Sequence, residues 1–111
     1  MEVKNRFGGR CGYCGQLPVG GRLQLDHIEP VEYGGTDDRS NLMPACFACN
    51  NLKSTHGLKQ WRIEIGEQVR RARDYSVNFR TAERFGLVEA KPWDGRFYFE
   101  KHEQEKGGLT Q

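Results

Sequence analysis

The chain has 111 residues, 17 of them basic and 15 acidic, for a formal net charge of +2. This length fits one small domain, and the near balance of charge does not by itself indicate a nucleic-acid partner. No apolar run approaches the roughly 20 residues of a membrane-spanning helix, and the first residues lack the apolar core of a signal peptide. We therefore expect an intracellular protein with no membrane association, in which paired cysteines favour a metal over a disulfide.

Residues 1–10 contain three cations, Lys4, Arg6 and Arg10, around a single aromatic residue, Phe7. The composition predicts a mobile basic arm. Two interpretations stay open, because the same charges can contact phosphates or simply be solvated.

The four cysteines form two Cys-x-x-Cys pairs, Cys11/Cys14 and Cys46/Cys49, separated by 31 residues. A single such pair could be a redox dithiol. Two pairs supply the four thiolates that zinc binds in a tetrahedron, and a site closed by four thiolates does no chemistry. The spacing therefore predicts a structural zinc site.

The region between the two pairs changes its pattern several times. Alternating apolar and polar side chains over 23–27 predict a strand, and the polar, glycine-bearing stretch 33–40 predicts a loop. Residues 41–45 can return as a second short strand. A helical pattern then runs from Phe47 to about Thr55, with Gly57 as its stop.

A second helix is predicted from Leu58 onward. Its apolar stripe falls at spacings of three and four, and consists of Leu58, Trp61, Ile65, Val69 and Ala72. Basic residues lie largely off this stripe, namely Lys59, Arg62, Arg70, Arg71 and Arg73. The cations are either a solvated face or a phosphate-binding face, and we favour the second slightly.

The last third of the chain predicts a third helix over 78–85, ended by Gly86. The runs 87–90 and 96–99 flank an Asp-Gly pair, which is a hairpin signal. Residues 101–111 are polar and predict a frayed tail.

The stretch between the cysteine pairs also contains the residue types needed for phosphodiester chemistry. Asp26 and the amide oxygen of Asn50 are ligands that a hard cation such as magnesium prefers. His27 can accept a proton from water near neutral pH. The structural alternatives are a surface Asp26–His27 pair, an Asn50 that caps the helix, and a His27 or His56 that binds zinc in place of one cysteine.

Asp-His-Ile-x-Pro, then Gly-Gly, then Asn-Leu, then Cys-x-x-Cys-Asn-x-x-Lys together resemble the HNH endonuclease family, in its form with two zinc-binding Cys-x-x-Cys pairs. The resemblance covers roughly 11–53. It implies that His27 is the general base, that Asn41 fixes the loop and the histidine, and that Asp26 and Asn50 share a divalent ion. It also places Lys53 near substrate phosphate, and makes Cys11, Cys14, Cys46 and Cys49 the structural zinc ligands.

By this resemblance the fold is α+β, with a small ββα-metal core, a structural zinc site of four cysteines, and a helix and C-terminal hairpin after it. We expect a single domain over 1–111, with an arm at 1–10, the core at 11–57, an extension at 58–100 and the tail beyond. The implied function is hydrolysis of DNA phosphodiester bonds.

The catalytic ion is expected to be magnesium or manganese, because asparagine is a weaker ligand than histidine for softer metals. We expect nicking with low intrinsic specificity, directed by a protein partner or by a second copy. The alternative is a zinc-ribbon-like module that binds nucleic acid or protein without catalysis.

Overall fold

The computed structural model describes residues 3–102. Its strands and principal helices, in chain order, are β1 (Gln24–His27), β2 (Leu42–Ala45), α1 (Phe47–Lys53), α2 (Leu58–Gly66), α3 (Gln68–Tyr75) and α4 (Val77–Arg84). The predicted order of strand, loop, strand and helix is confirmed. None of the helices within residues 3–102 is long and apolar enough to cross a bilayer.

The two strands form an antiparallel sheet whose register places Asp26 opposite Met43 and His27 opposite Leu42. Met43 is fully buried. Because successive side chains of a strand point to opposite faces, Asp26 is directed towards the interior while His27 lies on the other face. This is why Asp26 is buried and His27 is half-buried.

The core is largely aromatic and joins the first cysteine pair to α2 and to the end of the described chain. Trp61 stacks on Phe97, with ring centroids 5.7 Å apart, and Tyr13 meets both rings edge-on. Edge-to-face and stacked aromatic pairs add about 0.5–1.5 kcal/mol each beyond burial.

The prediction of a mobile arm over 1–10 is wrong for Phe7, which is buried in this core. Its ring packs edge-on against Tyr98 and His102. The basic residues around Phe7 suggested a solvated segment. Burial of the Phe7 ring in the core orders the segment instead.

The single helix predicted from Leu58 is two helices, because the chain turns at Gly66 and Glu67. Glycine lowers helix stability by about 1 kcal/mol relative to alanine, which favours a break there. The next helix, α4, agrees with prediction. Ser76 precedes it and accepts a hydrogen bond from the Phe79 amide, and Gly86 follows with a φ of +71°.

The predicted C-terminal hairpin is wrong. Residues 87–97 contain no strand, and residues 98–102 are helical. The amides of Tyr98 and Phe99 donate to the carbonyls of Tyr13 and Gly12, at 3.0 and 2.8 Å, so they are not available to a hairpin ladder. Phe97 is buried against the first cysteine pair instead. Most of the predicted tail lies outside the described residues, and residues 101 and 102 continue the helix.

Candidate metal and catalytic site

The four cysteines converge as predicted. Their sulfur atoms all lie within 4.8 Å of one another, and the cluster contains no histidine among the described residues. A tetrahedron with zinc–sulfur bonds of about 2.3 Å has sulfur–sulfur edges of about 3.8 Å. The Cys14–Cys46 distance of 4.0 Å is close to that value. The cluster can therefore hold a metal ion such as zinc.

Both cysteine pairs present backbone amides to sulfur. The amide of Tyr13 donates to Cys11 Sγ, and the amide of Cys49 donates to Cys46 Sγ, each at 3.4 Å. A hydrogen bond with the Cys49 side chain lowers the pKa of Cys11 to about 4, and the same hydrogen bond raises the pKa of Cys49. Burial raises the pKa of Cys14 to about 11. The four thiols do not all ionise together without a cation between them.

Asp26 is held in a buried polar network that links the first cysteine pair to α1. Its Oδ2 atom accepts a hydrogen bond of 2.6 Å from the Tyr13 hydroxyl and lies 3.0 Å from Lys53 Nζ. Burial is the main cause that raises the pKa of Tyr13, and the negative charge of Asp26 is the second. The Tyr13 hydroxyl therefore keeps the proton that it donates. The network fixes one oxygen of Asp26 and leaves the other, Oδ1, outside these two contacts.

Lys53 does not lie where the sequence placed it. The side chain is 0% exposed, and its ammonium also donates to the backbone carbonyl of His27 at 2.9 Å. A fully buried ammonium bound to protein oxygens does not reach a substrate phosphate in this conformation. Lys53 instead neutralises Asp26 and ties α1 to the end of β1, where His27 lies.

His27 is half-buried at the end of β1 and contacts the loop between the strands. Its Nε2 atom lies 2.7 Å from Asp37 Oδ1. If Nε2 carries the proton and donates it to Asp37, then Nδ1 carries the lone pair and can accept a proton.

Asn41 holds the same loop closed through three hydrogen bonds to backbone atoms. Its Nδ2 donates to the carbonyls of Glu29 and Thr36, at 3.0 and 2.7 Å, and its Oδ1 accepts from the Glu29 amide at 2.9 Å. Gly35 lies against this clamp, since a Cβ there would overlap the Glu29 carbonyl oxygen. Asn41 therefore fixes the loop that carries Asp37.

Asn50 lies in the middle of α1 and faces β1. Its Nδ2 donates to Gln24 Oε1 at 2.7 Å, so the amide nitrogen is occupied by protein. The Oδ1 atom of Asn50 and the Oδ1 atom of Asp26 take no part in the contacts described above. One carboxylate and one amide oxygen are a donor set that fits a hard divalent cation, which completes its coordination with water and phosphate oxygens.

The arginines of α2 and α3 are engaged with carboxylates. Arg62 forms a bidentate pair with Glu100, Arg71 pairs with Glu64, and Arg73 pairs with Glu83. Arg70 forms ion pairs with both Glu67 and Asp74. These pairs favour a solvated, ion-paired surface over the phosphate-binding face that we preferred from the sequence.

Three residues that support the site were missed from the sequence: Tyr13, Gln24 and Asp37. Tyr13 is one of the two spacer residues of a Cys-x-x-Cys pair, a position that indicates no role of its own. Gln24 and Asp37 stand in an alternating strand and a polar loop, where their residue types are ordinary. Each acts through a partner at least ten residues away, and no local pattern reveals such a contact.

The comparison with known protein families supports the resemblance to HNH endonucleases. The family model described as HNH endonuclease matches residues 11–56. The chain carries an HNH domain. It contains β1, β2 and α1 together with all four cysteines.

Two curated proteins are similar to the chain. YoqL of Bacillus subtilis, named as an SPbeta prophage-derived HNH endonuclease, is 31% identical over 113 residues, covering 95% of this chain and 44% of YoqL. The CRISPR-associated endonuclease Cas9 of Corynebacterium diphtheriae is 30% identical over 74 residues, covering 60% of this chain and 7% of that protein. The chain thus spans less than half the length of either relative. No solved structure matches the chain.

Proposed function

We propose that this chain is a metal-dependent endonuclease that hydrolyses DNA phosphodiester bonds. The observation that carries the proposal is the grouping of His27, Asp26 and Asn50 on β1 and α1 inside an HNH domain. Both relatives are named as endonucleases. The four converging thiols would hold a structural metal ion such as zinc, with a ligand set separate from the oxygen donors.

His27 acts as the general base in this proposal. Its Nε2 proton is donated to Asp37, and its Nδ1 takes the proton from the attacking water. The water oxygen forms a bond to phosphorus as the bond to the 3′ oxygen breaks. The departing 3′ oxygen takes a proton from solvent, which leaves 5′-phosphate and 3′-hydroxyl ends. Asn41 holds the loop on which Asp37 lies, and is thus a positioning residue.

Asp26 Oδ1 and Asn50 Oδ1 would hold one divalent ion, magnesium or manganese. Such an ion, when bound, stabilises negative charge on the phosphate and on the departing oxygen. Lys53 and Tyr13 hold Asp26 in place through its Oδ2 atom, and Gln24 orients the amide of Asn50.

The proposed activity is nicking of low intrinsic specificity, because a site with one base and one ion position cuts one strand at a time. Cleavage of both strands then needs a second copy or a protein partner. A bacterial or phage setting inside the cell fits the prophage-derived name of one relative. The alternative function, a zinc-stapled binding module without catalysis, retains DNA or protein binding but lacks divalent-dependent turnover.

A plasmid-nicking assay tests the proposal. The zinc-loaded protein is compared with the His27→Ala variant in magnesium, in manganese and without added divalent ion. General-base catalysis contributes about 10²–10⁴-fold, so the variant should lose cleavage by about that factor. The fold should survive, because Lys53 binds the backbone carbonyl of His27 and not its ring.

His56→Ala is the matched control, since His56 lies beyond α1 and none of the site contacts involves its ring. It should cleave at the wild-type rate, and zinc content measured by atomic emission should be equal in all three proteins. Equal cleavage by the wild type and His27→Ala would remove His27 as the base. Absence of cleavage in every metal, with zinc bound, would favour the binding module.

A further inference from the structure

An open groove of about 690 Å³ lies beside the candidate site, between the first cysteine pair and the start of α1. Its described walls include Leu17, Val19 and Phe47. We refer to it as the knuckle groove. None of the roles assigned above uses these side chains.

The apolar walls of the knuckle groove face outward. Phe47 is 68% exposed, Leu17 is 62% exposed and Val19 is 99% exposed. Val19 is held at the tip of a tight turn in which Gly20 and Gly21 both have positive φ. Isolated exposed apolar residues are ordinary, but a group of them around one concave surface marks an interaction site.

The knuckle groove adjoins the candidate catalytic site at Asn50. Gln24 lines the groove, and its Oε1 atom accepts the hydrogen bond from Asn50 Nδ2. A polymer with a phosphate at Asn50 would extend past Phe47, which lines the groove about one turn earlier on α1. A small molecule would have no comparable reason to occupy both places.

The described residues that line the groove include no carboxylate, and Arg22 supplies one positive charge. Four thiolates around one zinc ion leave the cluster at the groove's edge negative, so a phosphate contact in the groove falls to Arg22 and the other contacts are apolar. The exposed apolar residues near α4 differ, because that helix carries Arg80 and Arg84 together with Glu83 and has a surface of mixed charge. A protein partner with a mixed surface fits α4 better, and nucleic acid fits the groove better.

We propose that the knuckle groove binds the DNA next to the scissile phosphate, with Phe47 stacking on a base and Val19 and Leu17 packing on sugar faces. The inference rests on the proposed function and extends it to substrate recognition. Apolar side chains that enter the minor groove of DNA partly unstack base steps and bend the duplex. Contacts of this kind tolerate any sequence, because every base has a stacking face.

The test measures binding of a short fluorescently labelled duplex by proteins that carry His27→Ala, so that cleavage does not interfere. Phe47→Ala should raise the dissociation constant about tenfold, which corresponds to about 1.4 kcal/mol, because it removes the stacking on one base. Phe47→Tyr should restore most of the affinity. Phe85→Ala is the matched control, since Phe85 is 71% exposed but lies at the end of α4, and it should bind like the parent.

The salt dependence of binding separates stacking from charge. Phe47→Ala should leave the slope of log K against log salt unchanged, whereas Arg22→Gln should reduce it by about 0.9 if Arg22 contacts one phosphate. In the cleaving protein, Phe47→Ala should raise KM with little change in kcat.

Each outcome has a distinct meaning. Wild-type affinity and KM in Phe47→Ala, in a protein that cleaves DNA, would overturn the groove inference and leave the proposed function intact. Weakening by Phe85→Ala equal to that by Phe47→Ala would also overturn it. A wild-type protein that neither binds nor cleaves DNA would contradict the proposed function itself.

Discussion

The HNH domain and the pair of helices α3 and α4 are stabilised in opposite ways. We call this pair of helices the helical arm, as distinct from the N-terminal segment 1–10. In the domain, polar side chains are buried and their partners are distant in sequence, as in the network of Tyr13, Asp26 and Lys53. In the arm no residue is buried, and the ion pairs join neighbouring turns or neighbouring helices. Both regions contain paired charges, but burial makes only the first set costly to disturb.

The difference indicates where function can reside. Buried charges that are paired and hydrogen-bonded hold fixed positions, which a catalytic carboxylate needs. Exposed ion pairs contribute little and are screened by salt. The comparison therefore agrees with the proposed placement of catalysis in the domain, and the ion pairs of the arm's arginines argue against a role for the arm in phosphate binding.

Loss of the metal site should have the largest effect of any single change. Cys49→Ser removes one of four thiolates, and structural zinc sites supply apparent binding energies of about 10–16 kcal/mol, more than many small domains have in total. We expect loss of zinc and of the cooperative unfolding transition. The arm should unfold as well, because helices of 8 residues are not stable alone.

Circular dichroism and zinc analysis measure these two losses. The wild type, stripped of metal by a chelator and then given zinc, should recover its helix signal, whereas Cys49→Ser should not. A variant that keeps the helical signal of the arm without zinc would show that the two regions fold independently.

Lys53→Met should have the next largest effect. It leaves Asp26 buried without its cation, and breaking a buried pair in this way costs about 3–5 kcal/mol. Urea denaturation of the zinc-loaded protein measures the change. The double variant Asp26→Asn/Lys53→Met should recover part of the loss, because it leaves no unpaired charge.

Lys59→Met is the control for this experiment, since Lys59 is exposed in the first turn of α2. Its effect should stay within about 0.5 kcal/mol. Equal costs for Lys53→Met and Lys59→Met would mean that the buried network does not stabilise the domain.

Local patterns predicted the parts of the fold that depend on neighbouring residues. The alternation of 23–27, the two Cys-x-x-Cys pairs and the stop at Gly86 are all short-range signals, and each corresponds to an observed feature. The catalytic roles of Asp26, His27, Asn41 and Asn50 stay predictions.

The errors arose where distant contacts overrode a local signal. Asp94-Gly95 is a hairpin signal, yet the chain around Phe97 is drawn into the core against Trp61 and Tyr13. Lys53 looked like a surface cation on a helix, but its partner Asp26 lies 27 residues earlier. In both cases burial against a remote segment, which single-sequence patterns do not report, decided the structure.

Arg73→Gln should have the smallest effect and tests the other side of the comparison. Arg73 is exposed and Glu83 is partly exposed, and their hydrogen bonds join α3 to α4. The hydrogen bond from Arg73 lowers the pKa of Glu83, but solvent and salt screen a surface pair of this kind. We expect no resolved change in the urea midpoint and no change in the salt dependence of DNA binding. A salt slope reduced by about one would instead place Arg73 on a phosphate and make the arm part of the DNA-binding surface.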